Sequence, residues 1–273
     1  MNEFSDEELR LQEEACSYIK EHKDQLLKEF IHDKKPLPFG FLTVFMAGSP
    51  GAGKTEFSTR YLEAVNKEVP EYKNQLEESK GTKIGDVETI FIRIDVDEIR
   101  GFLPQYTKTD SGAGTKGNAH IIQKAANKGL DFLREYALKN EVNFIHDGTF
   151  SNVDTMRRLI QASLKAGRTV YVIFIYIDPI CAWNFTKARE KVEGRNILKD
   201  KFIDQYFAAK ANVDLIKQEF GDDVRVHFVL KNEQNEVIDT IFNIPSIDQS
   251  LKTQYNKGIL REYTPESLEA LLS

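Results

Sequence analysis

Residues 48–55 read Gly48-Ser49-Pro50-Gly51-Ala52-Gly53-Lys54-Thr55, the spacing G-x-x-x-x-G-K-T of a phosphate-binding loop. The pattern works only between a strand and a helix, and both neighbours fit. Residues 41–46 are apolar and β-branched like a buried strand, and residues 56–65 read as a helix. Glycines let successive backbone N–H groups turn toward one anion, and the N-terminus of the helix adds its partial positive charge. Lys54 can then reach the β- and γ-phosphates, and the Thr55 hydroxyl is a natural Mg²⁺ ligand. The expected nucleotide-binding set is Gly48 through Thr55, with Glu56 in the first helical turn. A strand-loop-helix of this kind belongs to an α/β fold that binds a nucleoside triphosphate.

A chain of 273 residues suits one α/β domain with elaborations, and its 41% apolar residues suffice for a core. The formal charge of −6 argues against general nucleic-acid binding, which needs clustered Lys and Arg. The longest apolar run, 170–177, is too short to span a bilayer, so no membrane partner is expected. An acidic N-terminus does not read as a secretory signal, and a cytoplasmic location is expected. Cys16 and Cys181 show no metal or disulfide spacing, and the five histidines show no zinc spacing.

Ser5 and Glu8 form a capping box that starts a helix running to about Phe30. Pro36 and Pro38 end it. Residues 66–85 are polar with little periodicity and read as an exposed insertion. Strand candidates recur at 89–94, 142–146, 169–177 and 224–230, separated by helical patterns at 118–138, 152–166 and 200–220. Such alternation predicts right-handed crossovers and a mainly parallel five-stranded sheet with helices on both faces. Residues 237–241 can return as an antiparallel edge strand, and Thr264-Pro265 starts a short C-terminal helix. The expected organisation is an N-terminal helical extension over 1–38, a phosphate-loop core over 39–232 and a C-terminal strand and helix extension over 233–273.

The chemistry needs more than a phosphate loop. The chain has no N-K-x-D base-reading tetrapeptide of a GTPase, and its strand candidates at 142–146 and 169–177 lack the Asp-Glu ending of a motor ATPase. It does carry Ile94-Asp95-Val96-Asp97 after its second strand candidate. An aspartate there can take the proton of an attacking hydroxyl. In an extended segment Asp95 and Asp97 divide the roles, one near the metal and the other in the acceptor site. The plainer reading makes Asp97 the N-cap of the next helix.

Taken in order, these motifs resemble the zeta toxin family of phosphate-loop kinases. The resemblance rests on the octapeptide, on Ile94-Asp95-Val96-Asp97, on His146-Asp147-Gly148-Thr149, and on Arg189 with Gly194-Arg195. It spans roughly residues 40–230. It implies a phosphate-loop kinase that uses ATP and Mg²⁺ to phosphorylate the amino-sugar 3′-hydroxyl of UDP-N-acetylglucosamine, with a possible antitoxin partner. By resemblance Asp97 is the catalytic base, with Lys54, Arg189 and Arg195 as catalytic cations. Asp131, Asp147 and Thr149 are substrate-binding, and Thr55 and Asp95 lie on the metal side. Asp131 and Asp147 replace the family's glutamates, and Ser151 stands where a substrate-contacting arginine is expected.

A lid near 183–199 also has a physical basis. Arginine offers a planar charged fork for phosphate oxygens in the transition state. The bland alternative is a solvated helix face, since Arg189 and Glu193 are an i,i+4 pair. Residues 110–117 read as a flexible acceptor-side loop, Arg157 and Arg158 as surface residues, and Trp183 and Phe185 as core or lid packing. The expected activity is γ-phosphate transfer to a nucleotide sugar. Two alternatives stay open. One is a kinase of the same fold acting on a nucleoside, antibiotic or polynucleotide end; the other is a non-catalytic ATP-binding regulatory module.

Overall fold

A computed structural model describes residues 4–107, 117–193 and 197–272. The strands are β1 (Leu42–Ala47), β2 (Ile92–Asp95), β3 (Phe144–Asp147), β4 (Thr169–Tyr176), β5 (Val224–Lys231) and β6 (Val237–Ile241). They form a six-stranded, mostly parallel sheet in the order β2-β3-β1-β4-β5-β6. The helices are α1 (Asp6–Glu21), α2 (Lys23–Phe30), α3 (Lys54–Asn66), α4 (Val69–Lys80), α5 (Val96–Phe102), α6 (Ala119–Lys139), α7 (Val153–Lys165), α8 (Pro179–Glu193), α9 (Lys199–Phe220), α10 (Ile247–Asn256) and α11 (Pro265–Leu271). The α/β class is as expected, and a sixth strand joins the five where the sequence offers an antiparallel edge strand. That strand is β6, which pairs antiparallel with β5. No helix among the described residues is long and apolar enough to cross a membrane.

Chain contacts define two units. The first is built on the described residues of 1–41 and 60–145. Its N-terminus follows the capping-box expectation, with Glu8 N–H donating to Ser5 Oγ at 3.2 Å and Ser5 N–H to Glu8 Oε2 at 2.8 Å. The single long helix expected there is two. His22 breaks it, because its ring Nδ1 and its own N–H both meet the Tyr18 carbonyl at 2.9 Å, a side chain competing with the helical ladder. Ala15, Ile19, Leu26 and Phe30 from α1 and α2 share one core with Ile92, Ile94, Ile99, Ile122, Leu133 and Phe144. The stretch expected to be an exposed insertion contains α4. Pro70 sits in its first turn, and Gly81 closes it at φ 64°. Punctuation by proline and glycine, rather than apolar period, marks this helix.

The second unit is built on the described residues of 42–59, 146–192 and 196–273. Here β1 runs parallel to β4 from Leu42↔Thr169 to Ala47↔Phe174, and β4 runs parallel to β5. Val44, Phe45, Met46, Val172, Phe174, Val226 and Phe228 are all buried. Burial on both faces explains why these strands read as apolar runs rather than alternations. Buried Arg168 ties the two strand starts together, donating to Thr43 Oγ1 at 2.8 Å and to the Leu42 carbonyl at 2.7 Å. Thr264 caps α11 with Pro265 in its first turn, as the sequence suggests.

Candidate functional site

The loop between β1 and α3 curls as its sequence demands. Gly48, Gly51 and Gly53 take φ of 138°, 74° and 71°, values that side chains rarely tolerate. Helix α3 starts at Lys54 itself, with Phe57 N–H donating to the Gly53 carbonyl at 3.0 Å. The loop N–H groups therefore lead directly into a helix N-terminus. Lys54 is 9% exposed, and its ammonium folds back over the loop onto the Gly48 carbonyl at 3.0 Å and the Ser49 carbonyl at 2.7 Å. Ser49 and Ala52 are buried, while Pro50 and Thr55 are half-buried and Glu56 is exposed.

The end of β3 lies beside this loop. Gly48 N–H reaches the Thr149 carbonyl at 3.4 Å. Asp147 is 6% exposed, and Ser58 on the second turn of α3 donates to its Oδ2 at 3.2 Å. A buried carboxylate is costly unless hydrogen-bonded, so α3 helps to fix Asp147. Phe150 holds φ 62°, a strained conformation for an aromatic residue. Its carbonyl is secured by Asn212 Nδ2 from α9 at 3.0 Å. Strain on one side and a buried anchor on the other fix Thr149 and Ser151, whose hydroxyls meet at 2.9 Å.

Helix α8 begins against the same loop, since a side chain at Gly51 would run into the Ala182 carbonyl. Asp178 caps it, accepting from Ile180 N–H at 2.9 Å, and accepts from the Tyr263 hydroxyl at 2.6 Å. Arg189 is half-buried on α8, two turns beyond Ala182 or about 10 Å along the axis. Arg195 and Gly194 lie outside the described residues, as does most of the glycine-rich 110–117 stretch. Trp183 packs edge-on to Phe202 at 5.1 Å, in keeping with a core role. Arg157 pairs with Asp154 and Glu219, both at 2.7 Å, on the surface.

The remaining candidates belong to the first unit. Asp95 and Asp97 do not share one extended segment, because α5 begins at Val96. The N-cap is Asp95 rather than Asp97: Asp95 Oδ1 accepts from Asp97 N–H at 2.8 Å. Asp95 is 7% exposed, whereas the Asp97 side chain is 32% exposed and paired with Arg100. Arg100 reaches Gln123 on α6 as well, and Gln123 donates to Asn127 at 2.9 Å. Asp131 stands one turn further along α6 from Asn127, 71% exposed, and accepts from Arg134 at 3.1 Å. Burial pulls the Arg134 guanidinium down to about 10, against the opposing pull of Asp131.

Two polar residues escaped the sequence reading. Lys231 and Asn235, between the strand candidates at 224–230 and 237–241, meet the loop at Gly53. No spacing rule connects positions so far apart in sequence. Among the described residues, no group of three or more His, Cys, Asp or Glu side chains could hold a metal ion.

Solved structures of the same fold exist at low identity. One, from the PezAT chromosomal toxin-antitoxin system of the human pathogen Streptococcus pneumoniae, aligns with a TM-score of 0.56 and 16% identity, over 98% of this chain and 93% of that one. Another, AvrRxo1-ORF1:AvrRxo1-ORF2 with sulphate ions, gives 0.51 and 15% over 89% and 71%. A third, the AvrRxo1-ORF1:-ORF2 complex with ATP, gives 0.51 and 14% over 93% and 73%. No curated protein sequence matches the chain. The zeta toxin family matches residues 78–241, a span that begins after the phosphate loop and takes in β2 through β6. More than half of the chain is thus covered, and the protein belongs to the zeta toxin family, whose members are kinase-like phosphotransferases.

Proposed function

We propose that the protein transfers the γ-phosphate of ATP to a hydroxyl of a small molecule, with a nucleotide sugar such as UDP-N-acetylglucosamine as acceptor. The observation that carries this reading is the loop over residues 48–55, with Lys54 folded across it at the start of α3. Its carbonyl partners are groups the ammonium can leave for phosphate oxygens. A complex of similar fold described with ATP supports the nucleotide. In this reading Asp97 accepts the acceptor's hydroxyl proton as the new O–P bond forms and the bond to the β-phosphate oxygen breaks, releasing ADP. Lys54 and Arg189, with Arg195, carry the charge that develops on the phosphate oxygens. Asp131, Asp147 and Thr149 hold the acceptor. Thr55 and Asp95 lie on the metal side. Thr55 fits a metal role, being half-buried in the first turn of α3 beside Lys54. When bound, Mg²⁺ neutralises charge on the β- and γ-oxygens. An antitoxin partner goes with this reading, supported by the toxin-antitoxin system among the similar structures, and a cytoplasmic location is part of the proposal.

A second acceptor class is favoured by one observation. Ser151 spends its hydroxyl on Thr149, where a diphosphate-binding arginine would otherwise stand. An acceptor without a diphosphate would suit this pair better. The decisive experiment measures ATP consumption against nucleotide sugars, nucleosides and oligonucleotides, with the product identified by mass. Phosphorylated UDP-N-acetylglucosamine establishes the first reading. A phosphorylated nucleoside or nucleic-acid end establishes the second, and ATP binding without any product leaves a regulatory module.

A further inference from the structure

Lys231 ends β5 with only 5% exposure. A buried ammonium demands hydrogen bonds, and two come from the neighbourhood of the phosphate loop. Its Nζ donates to the Gly53 carbonyl at 3.0 Å and to Asn235 Oδ1 at 2.8 Å. The β5–β6 turn is built to hold this pair. The strand register shifts between Leu230 and Lys231, a bulge that re-aims a side chain. Asn235 takes φ 63°, and Asn232 Oδ1 gathers the turn by accepting from Gln234 N–H at 3.1 Å and Glu236 N–H at 2.8 Å.

The contact has a consequence for the loop. The Gly53 carbonyl already accepts the first hydrogen bond of α3, from Phe57 at 3.0 Å. In a trans peptide the carbonyl and the following N–H point in opposite directions. Two donors that fix the Gly53 carbonyl therefore fix the Lys54 N–H as well, facing the other way, as a phosphate loop needs. A lysine at this place is also unfavourable by itself, because a helix N-terminus repels positive charge. An arriving polyanion reverses that sign.

We propose that Lys231, held by Asn235, is a positioning residue for the nucleoside triphosphate: it locks the Gly53–Lys54 peptide and adds an ammonium at the Gly53 carbonyl. This rests on the nucleotide reading above. The test compares the full chain with its Lys231→Met, Lys231→Arg and Asn235→Ala variants, and with Lys54→Ala as control. ATP affinity is measured by calorimetry at several salt concentrations, and melting is followed without nucleotide. The expected result for Lys231→Met is ATP binding weaker by about tenfold, with a shallower salt dependence because one cation is gone. Lys231→Arg should retain most of the affinity. Wild-type ATP affinity in Lys231→Met, or a loss with the salt dependence unchanged, overturns the proposal. Should Lys231→Met not fold, Asn235→Ala decides: a weakening of about threefold or more supports the proposal, and unchanged affinity overturns it. Wild-type affinity in Lys54→Ala instead sinks the nucleotide reading itself and takes this proposal with it.

Discussion

The phosphate loop and the acidic segment after β2 are held in different ways. The loop, the most legible feature of the sequence, is braced by residues far from it. Thr149 meets Gly48, Ala182 lies against Gly51, and Lys231 reaches Gly53 across 178 positions. The acidic segment takes its shape from neighbours. Asp95 caps the helix that Asp97 enters, and Arg100 pairs with Asp97 one turn on. A motif can therefore be local in sequence and still depend on the whole unit for its geometry. Another motif, the acidic one, takes its cap and its ion pair from within a few residues.

The contrast breaks first at Lys54. Lys54→Ala should lower phosphate transfer on the order of 10³-fold and weaken ATP, as removal of one preorganised charge does elsewhere; steady-state kinetics and calorimetry on the variant measure both. Gly53→Ala tests the distant bracing. A Cβ there would sit 2.5 Å from both Lys231 Nζ and Asn235 Oδ1, at φ 71°. The expected cost is about 1–3 kcal/mol of stability, read from thermal melts, together with loss of ATP binding. A Gly53→Ala protein that melts and binds like the parent would mean that the loop is self-sufficient after all.

In the acidic segment the two aspartates should separate. Asp97→Asn is expected to cut kcat by about 10²-fold with ATP affinity nearly unchanged. Asp95→Ala should chiefly remove a helix cap, about 1 kcal/mol of stability. Greater damage to kcat from Asp95 than from Asp97 would exchange their roles. Arg189→Ala should lower kcat by about tenfold and move KM for ATP less, with Lys a poor substitute. An unchanged kcat would return α8 to an ordinary helix.

The smallest effect concerns His227. Burial pushes its imidazole below the ordinary value, and its Nδ1 accepts from Asn243 N–H at 3.0 Å, so the folded state favours the neutral ring. The folded protein then binds fewer protons than the unfolded chain. This contribution to stability is present above the ordinary histidine value of about 6.5 and is lost as pH falls through the folded value. His227→Gln should flatten the melting temperature between about pH 5 and pH 7. An equally steep profile in the variant would place the acid sensitivity elsewhere.

Several elements were legible because their causes lie within a few residues. The capping box at Ser5, the helix start at Thr264-Pro265, and the apolar runs of β1, β4 and β5 are all of this kind. Where the reading failed, side chains overrode the pattern. The ring of His22 split the N-terminal helix, and proline and glycine carried α4 without an apolar stripe. Asp97 proved helical rather than extended, because a four-residue strand ends one residue before that helix begins.

By itself the sequence determined that a glycine loop joins a buried strand to a helix at residues 48–55. The glycine positions and Lys54 are properties of eight consecutive residues, and backbone sterics leave them few conformations. Only the tertiary structure decided which residues hold that loop open. The burial of Asp147 against Ser58 and of Lys231 against Gly53 depends on strands being brought side by side. Buried polar groups accept whatever partner the packed sheet supplies, and no local pattern in the chain records that choice.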